Sequence, residues 1–348
     1  MITFTTGTII AACLVVGGLM ATALVRAWAV RRNALVLPSE RCSHQIPTPH
    51  GGGIAIAALT IILGAMFLAL GWVPEHSMLA FIGLGLFMLV LGVWDDFGDV
   101  SAKFRLAMHF GVAGIGLASI PALPVVSFWG FELDPTSNLL FWPVLLVGWV
   151  WLINLYNFMD GIDGLAAVQA LALFGGMAFN FWMAGSIEWS WICVFMVGAV
   201  SGFTILNWPP AKIFMGDGGS GFLGFVIGFM MLLSAAQTSV SMWSWAILLT
   251  LFITDATVTL LVRFFTGQNV LQAHRTHAYQ LLTRRLGGHL PVTLGYGAVM
   301  VFVLTPLSWL ASVFPNTGLA LFGLAFLVSG AMAFMLGCGQ PEAECNKG

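Results

Sequence analysis

Residues 211–221 read Ala211-Lys212-Ile213-Phe214-Met215-Gly216-Asp217-Gly218-Gly219-Ser220-Gly221. Apolar runs flank this stretch on both sides, so it forms a polar connection at a membrane edge. It holds one carboxylate, Asp217, among small residues. Four glycines in six residues permit a close backbone approach. The helix that begins here aims its free N–H groups at the same place. An acid beside such a helix start suits a metal-bound phosphate, with the metal on the carboxylate and the amides on phosphate oxygens. A tight interhelical turn with a capping Asp fits the same residues, so the rest of the chain must decide.

Outward from this stretch the chain is 59% apolar and 7% charged over 348 residues, against roughly 25% charged in soluble domains. Mean hydropathy is +0.97. An all-α polytopic membrane protein follows, a single integral membrane unit over 1–348. A spanning helix needs roughly 20 apolar residues. About eleven such segments are expected, near 5–27, 52–72, 78–94, 106–123, 139–155, 163–183, 190–206, 220–236, 243–264, 292–312 and 317–337. The first has no basic residue before it and no evident cleavage site, so it reads as a retained span. The five cysteines show no CxxC pair and no regular spacing, which argues against a disulfide framework or a zinc knuckle.

The twelve basic residues fall on one side of that map. Arg26, Arg31, Arg32 and Arg41 follow the first span, and Lys103 and Arg105 the third. Lys212 follows the seventh, Arg263, Arg275, Arg284 and Arg285 the ninth, and Lys347 the last. The opposite connections hold Glu75, Glu132, Asp134 and Glu188 and no basic residue. Positive charge marks the cytoplasmic side. The N-terminus is therefore expected in the periplasm and the C-terminus in the cytoplasm, and every chemically suggestive cluster lies on the cytoplasmic side.

Those clusters are five. The first loop, Arg41-Cys42-Ser43-His44-Gln45-Ile46-Pro47-Thr48-Pro49-His50-Gly51-Gly52-Gly53, is a Pro/Gly-shaped turn whose helix-start amides could also hold an anion. Asp95 and Asp96 end an apolar run, and a divalent cation relieves the repulsion between adjacent carboxylates. Asp96 and Lys103 are seven apart and share a face if the helix is continuous; Asp99 and Lys103 are spaced to pair with each other. Asn154, Asn157, Asp160 and Asp163 recur every third residue, which lines them up on one helical face or around a tight helix break. Such groups at a span end are costly without partners or a ligand. Asn207 precedes the opening stretch and suits either a cap or a ligand contact. Lys212 marks topology first and phosphate binding second, and Phe214 could stack on a base or simply pack.

The fifth cluster is His274-Arg275-Thr276-His277. The two histidines could ligate a metal, but no Cys or acid accompanies them locally. With Arg275 between them they read better as a cationic clamp for a diphosphate. Arg284 and Arg285 suit topology or lipid headgroups. Asp255, inside the ninth span, is either a functional acid or a bond to another helix.

Taken together, these stretches resemble the polyprenyl-phosphate N-acetylhexosamine-1-phosphate transferases, and most of all their O-antigen-initiating branch. The resemblance rests on PTPHGGG at 47–53, DD at 95–96 with Lys103, NFMDGIDGLA at 157–166, FMGDGGS at 214–220 and HRTH at 274–277, in that order along most of the chain. It implies transfer of a sugar-1-phosphate from a UDP-N-acetylhexosamine to undecaprenyl phosphate, with release of UMP and use of Mg²⁺, or Mn²⁺ in its place. By the same resemblance Asp217 and Asn157 hold the metal. Asp95 and Asp96 are the acidic pair, acting as base or metal neighbours. Asp163 and Lys103 belong to the catalytic cavity. Asn157, Asp160, Asn207 and Phe214 contact the nucleotide sugar, Phe214 as the uracil-stacking ring, and His274, Arg275 and His277 hold the diphosphate. Peptidoglycan-branch relatives carry a Lys before their Thr-Pro; this chain has His44-Gln45-Ile46-Pro47 there. The expected place is the bacterial inner membrane, with the active site facing the cytoplasm, a homodimer among the expected states and no nucleic-acid partner. A secondary transporter is the rival, and it would want polar groups at mid-membrane in repeated halves. Exchange of one diphosphate for another needs little driving force, so alignment and charge neutralisation carry the catalysis. Asp217 is then the costliest loss, and single-step transfer is favoured over a covalent intermediate on Asp95 or Asp96.

Overall fold

Among the described residues fourteen α-helices run in the order α1 (Phe4–Arg31), α2 (Gly53–Leu70), α3 (Glu75–Phe97), α4 (Ala102–Ala118), α5 (Phe141–Phe158), α6 (Leu165–Met183), α7 (Ile187–Asn207), α8 (Asp217–Gln237), α9 (Met242–Leu248), α10 (Thr250–Phe265), α11 (Ala278–Leu286), α12 (His289–Val299), α13 (Thr305–Val313) and α14 (Gly318–Met335). The computed structural model describes residues 2–36, 47–98, 100–128, 131–133, 141–270, 272 and 274–341. Arg41, Cys42, His44 to Ile46, Asp99, Asp134, Cys345 and Lys347 lie outside these, so the Asp99–Lys103 pairing and the His44-Gln45 departure do too. Strands are confined to two short antiparallel pairs among the described residues, Leu35–Val36 with Thr48–Pro49 and Val126–Phe128 with Phe131–Leu133.

Nine of the described helical segments are long and apolar enough to cross a bilayer. One of them joins α12 to α13 through a π-helical turn at Met300–Leu304. A tenth, expected as one span at 243–264, is broken: α9 and α10 meet at 69°. The expected fourth span is α4, whose 17 residues sit at the lower limit of about 17 for a crossing helix.

α8 is the centre. Residues 218 to 230 are buried without interruption, as expected of a helix that is apolar on every face. It packs against α2, α3, α4, α5 and α9. Trp149 of α5 donates its indole N–H to the Phe225 carbonyl and stacks on that ring. Small residues allow the closest approaches, because between helices in lipid the packing itself supplies the attraction. A Cβ added at Gly92 of α3 would fall on the Gly218 backbone, and one at Gly53 of α2 on the Gly219 backbone. Two of the opening stretch's glycines are therefore spent on helix contact.

Gly92→Ala should lower stability by about 1–3 kcal/mol, the usual cost of overpacking. Gly83 of the same helix has nothing within 4 Å of an added Cβ, so Gly83→Ala should be neutral or slightly stabilising. Thermal unfolding of both variants in detergent checks this, and equal behaviour would show that the α3–α8 approach is not tight.

Candidate active site

α3 brings Asp95 and Asp96 to the N-terminal end of α8. Asp96 accepts from the Asp217 N–H at 2.8 Å and the Gly218 N–H at 3.2 Å, one on each carboxylate oxygen. Asp96 thus caps α8, with its charge at the positive end of the helix dipole. Gly216, at φ +79°, makes the turn that permits this contact. The amides expected to cradle a phosphate at this helix start are accordingly filled by a carboxylate of the protein itself. The α2 start behaves alike: the Gly52 and Gly53 N–H groups donate to the Phe214 and Met215 carbonyls, and the Phe214 N–H donates to the Pro49 carbonyl.

Asp217 is held on both oxygens. Asn157, one residue before the end of α5, donates to Oδ1 at 2.9 Å and to the Ser220 hydroxyl at 2.9 Å. Arg105 of α4 donates to Oδ2 at 3.0 Å and also pairs with Asp95. The sequence alone gives Arg105 no role beyond its side of the membrane. Its place follows from a helix break: α3 ends at Phe97, and Ser101 starts α4 by accepting from the Phe104 N–H. That break overturns the shared face of Asp96 and Lys103. Lys103 is exposed on the first turn of α4, lines neither cavity described below, and Arg105 takes the inward position.

The 157–163 repeat is also a break. α5 ends at Phe158, and the connection to α6 is fixed at several points. The Tyr279 hydroxyl donates to the Phe158 carbonyl and the Thr293 hydroxyl to the Asp163 carbonyl. The Gly164 N–H donates to Asn207 Oδ1, and Asn207 donates to the Ile213 carbonyl. Asp163 accepts from the Ala211 N–H at 3.0 Å and pairs with His289 at 3.2 Å. Asp160 receives no protein donor among the described residues. Burial, then the Asp217, Asp96 and Asp163 charges, push its carboxyl well above the ordinary range.

A cavity of about 330 Å³ gathers these groups. Asp96, Asp160, Asp163 and Asp217 line it, with Asn207, Phe214, His50, Gln280 and His289. A second pocket, about 40 Å³, lies on the other side of Asp217 and holds Asp95, Arg105, His109, Asn154 and Asn157. Asp217 is the carboxylate common to both. His50, at 3.7 Å from Asp96, and His289 were missed in the sequence; each is a lone His at a span start on the basic side.

The 274–277 cluster is placed differently from the expected clamp. His277 points at Asp255 of α10, 3.1 Å away, and neither His274 nor His277 lines the cavity. Asp255 also accepts from the Ala278 and Tyr279 N–H groups at 2.9 Å each, and from the Thr259 and Tyr296 hydroxyls. The intramembrane acid is therefore the cap of α11. Burial foremost, then the His277 and Arg263 charges, push the His274 pKa down to about 3, so at neutral pH its ring carries no charge for a diphosphate. Arg275 does not line the cavity either.

No three His, Cys, Asp or Glu side chains among the described residues form a preformed metal cage. What the cavity offers is a set of hard carboxylate oxygens. This suits a cation such as Mg²⁺, which keeps several waters and completes its shell with substrate phosphates.

Comparison with known proteins points to a family. A family model described as glycosyl transferase family 4 matches residues 78–235. Over 275 residues the chain is 30% identical to a Bacillus subtilis protein named "Probable undecaprenyl-phosphate N-acetylglucosaminyl 1-phosphate transferase", covering 76% of this chain and 74% of that one. It is 33% identical to the decaprenyl-phosphate N-acetylglucosaminephosphotransferase of Mycolicibacterium smegmatis, covering 60% of this chain and 55% of the relative. It is 31% identical to the phospho-N-acetylmuramoyl-pentapeptide-transferase of Shouchella clausii, covering 55% and 62%. The chain thus spans a little over half the length of these last two relatives.

Asp96→Ala should cost about 1–2 kcal/mol, the value of a lost helix cap. Asp160→Asn should leave the unfolding midpoint unchanged or raise it, since no donor is lost and like-charge repulsion falls. Thermal unfolding at neutral pH compares them. An equal drop for both would mean that Asp160 is a structural acceptor.

Proposed function

The chain belongs to glycosyl transferase family 4, a family of sugar-phosphate transferases, and we propose that it transfers N-acetylhexosamine-1-phosphate from a UDP-sugar to undecaprenyl phosphate. The products are undecaprenyl-diphosphate-sugar and UMP, and the step initiates O-antigen or another envelope polysaccharide. The observation that carries this reading is Asp217 on the wall between two cavities of different size and character. The larger is roomy enough for a nucleotide sugar, with Phe214 available to stack on uracil. The smaller suits a phosphate.

The bilayer side fits a lipid acceptor. An apolar cleft of about 350 Å³ is walled by α5, α8, α9 and α10, from Trp243 at one end to Leu155 and Ile253 at the other. Ile153, Asn154, Asn157 and Phe158 of the same helix line the small pocket instead.

In the reaction an acceptor phosphate oxygen bonds to the sugar-bearing phosphorus. The bond from that phosphorus to the bridging oxygen breaks, and UMP leaves with that oxygen. A lipid phosphate is already largely ionised near neutral pH, so this chain's work is alignment and charge neutralisation. Asp217 and Asn157 would hold Mg²⁺, which would supply neutralising charge to the diphosphate. Arg105 draws Asp95 and Asp217 together and offers donors to the incoming phosphate. Both oxygens of Asp96 are engaged by α8 amides, which favours a scaffold role for Asp96. The one-sided placement of basic residues supports a cytoplasmic active site in the bacterial inner membrane. A transporter would keep polar groups free at mid-span; the deep acid here, Asp255, has both oxygens taken up by α11 and its neighbours.

Membranes given labelled UDP-N-acetylhexosamines and undecaprenyl phosphate should release UMP, stop on chelation and recover with Mg²⁺. Asp217→Asn should lower turnover roughly 100-fold or more, the scale of a lost key electrostatic group. A variant within tenfold of wild type would overturn the Asp217 assignment. Sugar accumulation in vesicles without UMP release would favour transport.

A further inference from the structure

Across Asp217 from the large cavity lies a buried side chain with an unused nitrogen. His109, a little under halfway along α4, is 9% exposed, and its Nδ1 has no hydrogen-bond partner among the described residues. It lines the small pocket beside Asp95, Arg105, Asn154, Asn157 and Asp217. Leaving a buried polar atom unpaired costs about 1–3 kcal/mol, a cost that a ligand reaching this atom would remove.

The pocket indicates which ligand. One water-sized sphere takes about 10–15 Å³, so a pocket of about 40 Å³ accepts about three oxygen-sized groups. That matches a terminal phosphate and is too small for a nucleoside or a sugar. The chemistry agrees, since Arg105 supplies cationic donors and Asn154 and Asn157 supply amides, all suited to phosphate oxygens. On the transferase reading the larger cavity on the far side of Asp217 takes the nucleotide sugar, which leaves the small pocket to the phosphate of the acceptor lipid.

We infer that His109 is a direct ligand of the acceptor lipid's terminal phosphate, which it hydrogen-bonds through Nδ1. The inference rests on the transferase reading above. His109 holds one non-bridging oxygen while another forms the new bond to the sugar-bearing phosphorus, and Arg105 holds the phosphate from the Asp95 side. His109 thereby contributes to acceptor binding and leaves nucleotide-sugar binding to the larger cavity.

Steady-state kinetics with each substrate varied in turn, on wild type and the variants H109A, H109N and H109Q, test it. An Asn places its amide near the position of Nδ1, whereas a Gln reaches past it. H109A and H109Q should raise the KM for undecaprenyl phosphate about tenfold or more, the range for a hydrogen bond to a charged group. The KM for the UDP-sugar should stay within about twofold. H109N should recover most of the lipid KM, with unfolding midpoints near wild type throughout. If H109A does not fold, H109Q against H109N carries the comparison. An unchanged lipid KM, or both KM values moving together with a lower unfolding midpoint, overturns the inference and makes His109 a packing residue. If wild type itself transfers no N-acetylhexosamine phosphate, the transferase reading falls and takes this inference with it. If wild type is active while the lipid KM ignores His109, only the inference falls.

Discussion

Four carboxylates share one cavity at the end of a helix bundle, and their mutual repulsion is the constraint that the surrounding structure answers. Each is answered differently. Asp96 faces two amides of α8. Asp163 takes the Ala211 amide and His289. Asp217 takes Asn157 and Arg105. Asp160 has none of these, and burial together with the neighbouring carboxylates raises its pKa. The protein thus neutralises three members of the cluster with its own donors and leaves Asp160 without one among the described residues.

The scaffold follows from this arrangement. Asp96 can cap α8 only because α3 and α8 touch backbone to backbone at Gly92 and Gly218, with α2 doing the same at Gly53 and Gly219. The cap fixes where α8 begins, and so fixes Asp217 between the two pockets. On the far side Asp255 plays a similar part for α11, taking three groups of the His277–Tyr279 turn deep in the bundle. Two buried acids, each at a helix start, therefore set the positions of the two polar connections nearest the cavity.

Much of this was legible in the sequence. Apolar runs gave the spans, because the bilayer imposes a length on each. Acid- and amide-rich span ends gave Asp96, Asp160, Asp163 and Asp217, because such groups need partners in that setting. What could not be read was which partner each would find. Gly218 and Gly219 look the same in sequence whether they approach a phosphate or another helix. Arg105 and Lys103 are two residues apart, and only the helix break at Gly98 decides which turns inward. His277 turned to Asp255, a residue 22 positions earlier, and no local pattern announces that contact. The 69° bend between α9 and α10 likewise lacks a proline or glycine to mark it.

Coupled binding probes the shared cavity most directly. Purified protein in detergent is titrated with UMP, with Mg²⁺ and with both, and the unfolding midpoint is followed, since a ligand of the native state raises it by mass action. The account predicts that Mg²⁺ strengthens the stabilisation by UMP and that UMP strengthens that by Mg²⁺, as linkage requires when both meet at one site. UMP stabilisation of equal size in EDTA and in Mg²⁺ would contradict it.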